Sequence, residues 1–408
     1  MLGLLLARAG VEVVVLEKHS DFLRDFRGDT VHPSTLQVMH ELGLLEKLLT
    51  RPHDKIRELR GTFGNTELTL ANFQYLVGPC KFIAMMPQWD FLDFLCDEAK
   101  RLPTFRLIRN AEVTGVIWNV GVVSGVEVST PSGPLQVTAD LVIGADGRRS
   151  IVRSAAGLVA HDLGAPIDVL WMRMPKAPGD PSTTGGRVVP GAFMVMIDRR
   201  SYWQCAYVIA KGGMAAIQAR GLDAFRADFV KVVPLFAGRV QTLANWDDIK
   251  LLSVTVDRLE RWYLPGLLCI GDAAHAMSPI GGVGINLAIQ DAVAAANILA
   301  TPLADASLAA SALTPFLAKV EKRRLFPARL TQALQVAVQN RLLKPAISSG
   351  GATGATGVPG IPDKPMTVPW PLKVLSRLPW LQALPAYAVG IGVRPEHVRS
   401  PQKKQLAP

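Results

Sequence analysis

Apolar residues near the amino terminus follow first a helical and then an extended pattern. Residues 1–9 predict the end of an amphipathic helix, and Gly10 stands where such a helix commonly ends. The nearly continuous β-branched run Val11–Glu17 comes next, which is typical of a strand buried on both faces of a parallel sheet. Helical spacing returns in Thr35–Leu49 and in Gln88–Arg101. This part of the chain therefore predicts the alternating helices and strands of an α/β domain.

Shorter extended runs fill the middle of the chain. Arg106–Val113, Val122–Ser129 and Leu135–Thr138 are separated by turn-forming residues and predict an antiparallel meander. From about residue 160 to residue 255 strand-like runs predominate, with one helix near Leu222–Val233. We interpret this region as a second layer that is built on a sheet.

The last third of the chain resumes the alternation of strands and helices. Leu267–Ile270 predicts another buried strand, a glycine-rich turn follows it, and Asn286–Ala300 predicts an alanine-rich helix, whereas Ser348–Pro371 predicts a loop. This order predicts an α/β nucleotide-binding domain interleaved with a substrate domain. The predicted boundaries are 1–160 and 256–325 for the two parts of the nucleotide-binding domain, 161–255 for the substrate domain, and 326–408 for terminal helices and a Pro/Gly-rich tail.

Composition narrows the class of protein. The chain has 408 residues, of which 49% are hydrophobic and 19% charged, so it can bury a large core and is not a disordered chain. Its net charge of +10 suits an anionic partner such as a nucleotide cofactor or an acidic substrate. Lys319–Lys344 carries seven basic residues and one acid, which favours a solvated or phosphate-facing helix. No nucleic-acid-binding motif accompanies it, so we predict no nucleic-acid partner.

The cysteines and the apolar segments predict a cytoplasmic protein without a membrane span. The four cysteines form no CxxC pair and no metal spacing with histidine, which predicts a reducing compartment and no metal site. The apolar start Leu2–Leu6 is too short for a signal peptide. Leu378–Val393 comes closest to the ~18 uncharged apolar residues of a span, but prolines interrupt it and predict a pair of surface helices.

Glu17, at the end of the first β-branched run, is the first candidate site residue. An acid at this place in a dinucleotide-binding fold accepts hydrogen bonds from the adenosine ribose, although many such acids are only solvated strand ends. The preceding helix supports the ribose interpretation, because helix, glycine, strand and acid form the back half of a βαβ unit. The front half, a first strand and a G-x-G-x-x-G loop, is missing, so we expect that the chain lacks its first ~15–20 residues. The alternative is a native amino-terminal helix.

A second candidate follows the predicted strand Asp140–Ala145. The strand leads into Asp146 and Gly147, and three arginines follow by Arg153. Asp146 can fix this turn and its arginines by charge-assisted hydrogen bonds, and the arginines supply positive charge for phosphates. A tight turn with exposed arginines is the alternative.

The strongest chemical signal is the segment Gly271–Ala292, where a buried strand delivers an acid to a glycine-rich loop and a helix. The carboxylate of Asp272 suits the ribityl or ribose hydroxyls of a flavin. The loop residues, Pro279, Gly281, Gly282 and Gly284, let the backbone approach a flat ligand closely. A helix that starts near Ile285 and Asn286 directs its N–H groups at the loop and would stabilise negative charge on the reduced ring. The alternative is a glycine-rich loop without a ligand.

Together these segments resemble the class A flavoprotein monooxygenases, the family of para-hydroxybenzoate hydroxylase and phenol hydroxylase. The resemblance rests on GDAAH…P…G.G.N…QDA, GADGRRS and VVVLEKH…RGDTVHPSTLQVMHELGL, and it extends to about residue 325. It implies a Rossmann-like FAD-binding domain of the glutathione reductase type, interleaved with a β-sheet substrate domain. The FAD contacts that it implies are Glu17, Arg27, Gln88, Asp272 and Pro279–Asn286, with Asp146 serving both FAD and the nicotinamide cofactor. His275 is structural in this pattern. No thioredoxin-like domain is evident in the sequence, so we do not expect the large architecture of phenol hydroxylase.

The resemblance also implies a reaction. NADPH or NADH would reduce the flavin, and O2 would then form a flavin C4a-hydroperoxide that hydroxylates an aromatic or polyketide-like small molecule. The sequence singles out no catalytic proton-transfer residue. The wall facing the ring is expected in the middle region, with plain core packing as the alternative for most of its candidates, which are Phe193, Met194, Met196, Tyr202, Trp203 and Tyr207.

Two other interpretations stay open. The same flavin scaffold carries epoxidases, polyprenyl reductases and halogenases, although the Trp-x-Trp-x-Ile-Pro signature of halogenases is absent from this sequence. An inactive truncated product that is unable to hold FAD is the other interpretation. The sequence leaves open the choice between NADPH and NADH and the oligomeric state, for which a homodimer is one option.

Overall fold

The computed structural model describes residues 1–23, 30–181, 184–305, 307–343 and 368–403. The helices in these ranges are α1 (Leu2–Arg8), α2 (Pro33–Glu41), α3 (Leu45–Leu48), α4 (Gln88–Ala99), α5 (Ile151–Ala155), α6 (Met214–Arg220), α7 (Leu222–Val232), α8 (Gly284–Ala304), α9 (Thr314–Val338), α10 (Trp370–Arg377) and α11 (Ala383–Gly390). The strands are β1 (Val13–Glu17), β2 (Thr30–Val31), β3 (Asp54–Ile56), β4 (Glu58–Phe63), β5 (Thr66–Asn72), β6 (Ile83–Met85), β7 (Phe105–Arg109), β8 (Glu112–Asn119), β9 (Val122–Thr130), β10 (Gly133–Thr138), β11 (Val142–Gly144), β12 (Ala160–Asp162), β13 (Ile167–Pro175), β14 (Gly185–Val189), β15 (Ala192–Asp198), β16 (Tyr202–Ala210), β17 (Lys250–Leu252), β18 (Asp257–Leu259), β19 (Tyr263–Leu264) and β20 (Leu267–Cys269). This mixture confirms the predicted α/β class.

Two pairs of parallel strands form the frame of the α/β part. β1 pairs with β7 along its whole length, and β11 pairs with β20. Beside them, Leu5 of α1, Phe94 of α4 and Val293 of α8 share one buried core. Parallel strands covered by helices are the arrangement that a continuous β-branched run predicts.

The predicted meander differs from the observed one at its first strand. The residues predicted as one run, Arg106–Val113, divide between β7, which joins the parallel pair, and β8, which pairs antiparallel with β9. Asn110 separates the two strands with a φ of 53°, a left-handed conformation that asparagine tolerates better than most residues. The observed meander therefore consists of β8, β9 and β10.

The largest sheet has seven strands in the order β17–β13–β16–β15–β14–β4–β5. Five of them lie between residues 167 and 252, whereas β4 and β5 come from residues 58–72. β14 and β4 are parallel, and this pairing joins the two chain segments. One of the segments lies inside the range 1–160 that was predicted for the first domain, so the sheet is assembled from distant parts of the chain.

One face of this sheet is covered by a helix. Met194, Trp203 and Tyr207 point to this face and form a buried cluster with Phe225 and Phe229 of α7. Three of the residues predicted as the wall facing the ring are therefore ordinary core, which is the alternative that the sequence analysis left open.

The opposite face of the sheet packs against the glycine-rich loop. Phe193, Val169 and Val208 pack there with Ile280, which precedes α8. Successive side chains of a strand point to opposite faces, which is why Phe193 and Met194 belong to different clusters. Phe193 thus remains a candidate for the wall facing the ring.

The apolar helix α8 is part of the core. In the described ranges, one helix, Ile280–Ala304, is long and apolar enough to cross a membrane by composition, and 67% of its most apolar window is buried inside the protein. This helix, rather than Leu378–Val393, comes closest to a span. Its apolar character is explained by packing, because a helix that is hydrophobic all round is commonly buried in the core of a large protein.

The last described residues run back across the α/β part. Val398 N donates to Glu41 Oε2 at 2.8 Å, and Lys403 N donates to the carbonyl oxygen of Arg8 at 3.0 Å. Glu396 accepts a hydrogen bond from Arg323 Nε at 2.6 Å. This segment therefore ties together α1, α2 and α9.

Candidate functional site

The carboxyl ends of the parallel strands β11 and β20 lie side by side, and an aspartate follows each of them. Asp146 follows β11 and Asp272 follows β20. Asp272 Oδ2 lies 3.8 Å from Nε of Arg148, and both side chains are about a third exposed. Ligands of open α/β sheets bind at this edge. Asp272 is therefore well placed to accept hydrogen bonds from the hydroxyl groups of a ligand.

Asp146 shapes the turn in which it lies. Its Oδ1 accepts a hydrogen bond from Ser150 Oγ at 2.5 Å, and its Oδ2 accepts one from Val152 N at 3.2 Å. Ser150 in turn caps α5 by accepting a hydrogen bond from Arg153 N at 2.9 Å. The structure shows Asp146 fixing the turn, while its part in cofactor binding stays a prediction.

The three arginines after Asp146 have different surroundings. Arg153 lies inward, 3.3 Å from Asp257 Oδ2, and donates to the carbonyl oxygen of Arg148 at 3.0 Å. Arg148 turns toward Asp272, and Arg149 is exposed. Arg148 and Arg149 therefore supply the positive charge at the edge of the sheet, and Arg153 holds the turn in place.

The loop Pro279–Val283 presents bare backbone at its two central glycines. Gly281 and Gly282 have φ values of 78° and 63°, which residues with side chains rarely adopt. Gly282 N donates to the carbonyl oxygen of Pro279 at 3.0 Å. A Cβ atom on Gly282 would lie 2.6 Å from Oγ1 of Thr30. Glycine is thus required both by the conformation of the loop and by the close approach of β2.

Asn286 clamps this loop to β2 and the start of α2. Its side chain donates to the carbonyl oxygens of Thr30 at 3.0 Å and Gly282 at 3.2 Å. Its Oδ1 accepts hydrogen bonds from His32 N at 2.9 Å and from Thr35 Oγ1 at 2.8 Å. The side chain is therefore committed to the protein, and a contribution to ligand binding would come from its backbone.

The start of α8 is open toward the same space. Among the described residues, no side chain caps the helix, and its first turn contains no acid. The first N–H groups of a helix lack partners within it, so Gly284 and Ile285 offer donors at the positive end of the helix dipole. Asp272 Oδ1 lies 4.0 Å from the position that a Cβ on Gly284 would take. The acid and the helix start thus border one site.

His32 is a site residue that sequence reasoning missed. It is fully buried, and its Nδ1 lies 2.7 Å from the carbonyl oxygen of Val389, to which it donates. Burial lowers the pKa of His32 to about 4, so the ring is neutral and Nε2 carries a lone pair. Nε2 lies 3.6 Å from the Cβ position of Gly282 and has no partner among the described residues. The spacing of polar residues gives no signal for such an acceptor.

A buried ionic cluster stands behind the loop. Asp291 Oδ2 lies 2.5 Å from Nε2 of His275 and accepts a hydrogen bond from Gly271 N at 3.0 Å, while Oδ1 accepts one from Arg324 Nε at 2.8 Å. Burial alone would raise the pKa of Asp291, but His275 and Arg324 hold it below its usual value. Arg324 Nη1 also lies 3.4 Å from Glu396. His275 therefore has the structural surroundings that the resemblance implied.

The prediction that the basic segment Lys319–Lys344 is a solvated or phosphate-facing helix is wrong for the two arginines near its start. Arg324 is fully buried against Asp291, and Arg323 pairs with Glu396. Sequence reasoning missed these ion pairs, because their partners lie far away along the chain.

The remaining predicted contacts belong to other segments of the sequence than the glycine-rich loop. Glu17 ends β1, and its Oε1 accepts a hydrogen bond from His19 N at 3.0 Å. Gln88 is the half-buried first residue of α4. Arg27 lies outside the described residues. All three stay predictions for FAD contacts.

Residues 1–322 match the protein family described as FAD binding domain. The chain belongs to this FAD-binding family. A relative, 6-methylpretetramide 4-monooxygenase from Streptomyces rimosus, is 35% identical over 73% of this chain and 72% of that protein. Rifampicin monooxygenase from Streptomyces venezuelae is 26% identical over 69% of this chain and 58% of that protein. The structure of OxyS anhydrotetracycline hydroxylase from Streptomyces rimosus has the same fold, with a TM-score of 0.70, 21% identity, and coverage of 95% of this chain and 73% of that one.

These findings confirm the predicted class of enzyme. The chain is an FAD-dependent monooxygenase with a Rossmann-like FAD-binding domain and a substrate domain. The site fits the cofactor, because the start of α8 has no side-chain cap, Gly281 and Gly282 present backbone without side chains, and Nε2 of the buried His32 has no partner among the described residues. Sites with open backbone donors at a helix start are suited to negatively charged ligand groups.

Proposed function

We propose that this FAD-binding enzyme hydroxylates a polycyclic aromatic, polyketide-like small molecule with NADPH or NADH as electron donor. The observation that carries the proposal is the apolar sheet face, where Phe193, Val169 and Val208 pack with Ile280 beside the glycine-rich loop. Phe193 and Ile280 stay partly exposed on this face, and an apolar wall next to the cofactor suits an extended aromatic ring system better than a charged substrate. The name of the relative at 35% identity, a 6-methylpretetramide 4-monooxygenase, supports the same substrate class.

The residues of the chain hold the cofactor and order its surroundings. When bound, FAD supplies electron transfer from NAD(P)H and the activation of O2 for oxygen transfer to an electron-rich ring. The amides of Gly284 and Ile285 donate hydrogen bonds and stabilise negative charge. Asp272 accepts hydrogen bonds from hydroxyl groups, and Nε2 of His32 accepts one from an N–H or O–H donor. The apolar sheet face excludes water from the reacting side.

We further propose that the enzyme works in the cytoplasm and that nucleic acids are not among its partners. Its four cysteines are free, which suits a reducing compartment. The two arginines near the start of the basic segment are engaged by Asp291 and Glu396, which leaves less positive charge for a polyanion. A homodimer stays a prediction.

The test is turnover of the FAD-loaded enzyme with a panel of polycyclic phenols under isotopically labelled O2. We expect yellow protein, NAD(P)H consumption that a matching phenol accelerates, and one labelled oxygen atom in the product. The panel includes polyprenyl lipids and alkenes as rival substrates. Reduction of a polyprenyl lipid without labelled oxygen, or conversion of an alkene to an epoxide with all phenols inert, would refute aromatic hydroxylation.

A further inference from the structure

The carboxyl-terminal helix pair presents a cluster of large exposed apolar side chains. The cluster spans α10, the short connection after it and α11, and its members are Trp370, Val374, Leu378, Trp380, Leu384 and Tyr387. Trp370 is 76% exposed, Leu384 67% and Trp380 64%. Large apolar side chains that are exposed this close together in the chain mark contact with a partner more often than isolated ones do. We call these six residues, with Lys373 and Arg377, the aromatic surface.

The exposed residues of α10 lie on one side of the helix. Trp370, Lys373, Val374 and Arg377 are exposed and lie at positions i, i+3, i+4 and i+7, which form one stripe along a helix. Leu372 points the other way and packs against the cluster of Phe63, Leu68 and Val188 at the substrate sheet. The exposed stripe is therefore the outer side of a helix that is anchored by its inner side.

α11 is arranged in the same way. Leu384 and Tyr387 are exposed, whereas Ala386 is buried in the cluster around Phe73. The carbonyl oxygen of Val389 accepts the hydrogen bond from His32. Both helices thus present apolar side chains outward and are held on the body of the enzyme.

Charge indicates which partner the aromatic surface fits. Residues 368–395 contain the exposed Lys373 and Arg377, together with Arg394, and no acid. Tryptophan, tyrosine, aliphatic residues and basic residues on one helical face are the composition of helices that lie in the headgroup region of a membrane. Basic residues beside such a face are attracted to anionic lipids. From this combination we propose that the aromatic surface docks the enzyme on an anionic membrane.

The sequence that precedes α10 is neither aromatic nor acidic. Residues 344–367, which precede α10, contain no aromatic residue, and their two lysines outnumber one aspartate. They supply neither the aromatic contacts nor the negative charge that the surface would attract.

The test is flotation of the FAD-loaded enzyme with vesicles of phosphatidylcholine alone or mixed with phosphatidylglycerol. We expect binding to the mixed vesicles, little binding to phosphatidylcholine alone, and loss of binding at high salt. Lys373→Glu with Arg377→Glu should reduce the fraction bound by roughly tenfold or more, since each basic residue near an anionic surface contributes to attraction. Trp380→Ser with Leu384→Ser should reduce it on all vesicles, because apolar insertion is lost.

Matched controls use exposed residues on other elements. Trp118→Ser with Leu135→Ser removes two exposed apolar residues of the β8–β9–β10 meander, and Arg106→Glu reverses an exposed charge on β7. Both controls should bind vesicles as the unaltered enzyme does, and circular dichroism and flavin absorbance should show that all variants are folded. Equal vesicle binding by the Lys373/Arg377 variant would overturn the proposal. The proposal would also be overturned if the unaltered enzyme did not bind anionic vesicles but formed a dimer, and the Trp380/Leu384 variant did not form it. The aromatic surface would then join two copies of the chain.

Discussion

The segment from Gly271 to Asp291 borders two different environments. We call the side with the glycine-rich loop and the start of α8 the front side, and the side with the buried Asp291 the back side. On the front side Gly281 and Gly282 leave the backbone bare and α8 has an uncapped start. Asp272 has only a distant ion pair with Arg148, and Nε2 of His32 has no partner among the described residues. On the back side Asp291 binds both Arg324 and the imidazole of His275 in the core. The front thus keeps polar groups ready for a ligand, and the back holds the front in place.

This difference separates ligand affinity from stability within a short stretch of chain. Unpaired polar groups beside a binding site are stabilised when a ligand supplies their partners, so changes there should act on FAD binding first. Buried ionic groups that lose a partner become uncompensated charges, so changes there should act on folding first. The predictions below test this separation, beginning with the largest effect.

Removal of the acid at the centre of the back side should have the largest effect. In Asp291→Ala, Arg324 and His275 lose their common partner in the core, and breaking a buried ion pair costs roughly 3–5 kcal/mol of unfolding free energy. Urea unfolding of the variant and the unaltered enzyme, both without FAD, measures this loss. Arg323→Met is the matched control, because it removes a partly exposed partner of the same cluster and should cost less than about 1 kcal/mol. Equal losses in the two variants would show that the cluster is not the support of the loop.

His32 should make stability depend on pH in a defined window. Burial lowers the pKa of His32 to about 4 in the folded protein from an ordinary value of 6.5, so the unfolded chain binds more protons between these two values. The free energy of unfolding should therefore fall as pH falls from 6.5 to 4, by about 3 kcal/mol at most for a shift of this size. In His32→Phe this part of the pH dependence should disappear. The measurement is urea unfolding at several pH values, with the exposed His40→Gln as control, and a His32→Phe profile that parallels the unaltered one would contradict the assignment.

The two sides also differ in what the sequence alone could predict. The front side was readable because Gly281 and Gly282 are required by backbone conformation at their own positions, a local property that glycine reveals. The back side could not be predicted, because the pairing of Arg324 with both Asp291 and Glu396 joins residues that only the completed fold brings together. The seven-stranded sheet shows the same limit. Periodicity identifies strands, but nothing in a single sequence places β4 and β5 beside β14.

The predicted strand boundary was also wrong where a single residue interrupts an extended run. Arg106–Val113 was predicted as one extended run, and the left-handed conformation of Asn110 lies where the run divides into β7 and β8. His32 was missed for a different reason. A buried imidazole with a free acceptor can be recognised only after its burial and the position of Gly282 are known.

A side chain added to the loop should have the smallest effect on the free energy of unfolding, but it should weaken the binding of FAD. In Gly282→Ala the left-handed backbone costs about 1–2 kcal/mol for a residue with a Cβ. The new Cβ also meets Oγ1 of Thr30 at 2.6 Å, which pushes β2 away from the loop. Since Asn286 binds the loop and β2 together, this displacement disturbs the surface that the cofactor contacts.

The matched control is Gly43→Ala, because Gly43 has a φ of 70° but nothing within 4 Å of the added Cβ. Both variants share the conformational strain, so both should lose a similar amount of unfolding free energy from it. Only Gly282→Ala should weaken FAD binding, by roughly tenfold if the displaced surface contributes about 1.4 kcal/mol. Titration of each apoprotein with FAD, followed by quenching of flavin fluorescence, measures the difference. If Gly43→Ala weakens FAD binding equally, strain anywhere in the domain reaches the cofactor, and the front and back of the loop are not separate in function.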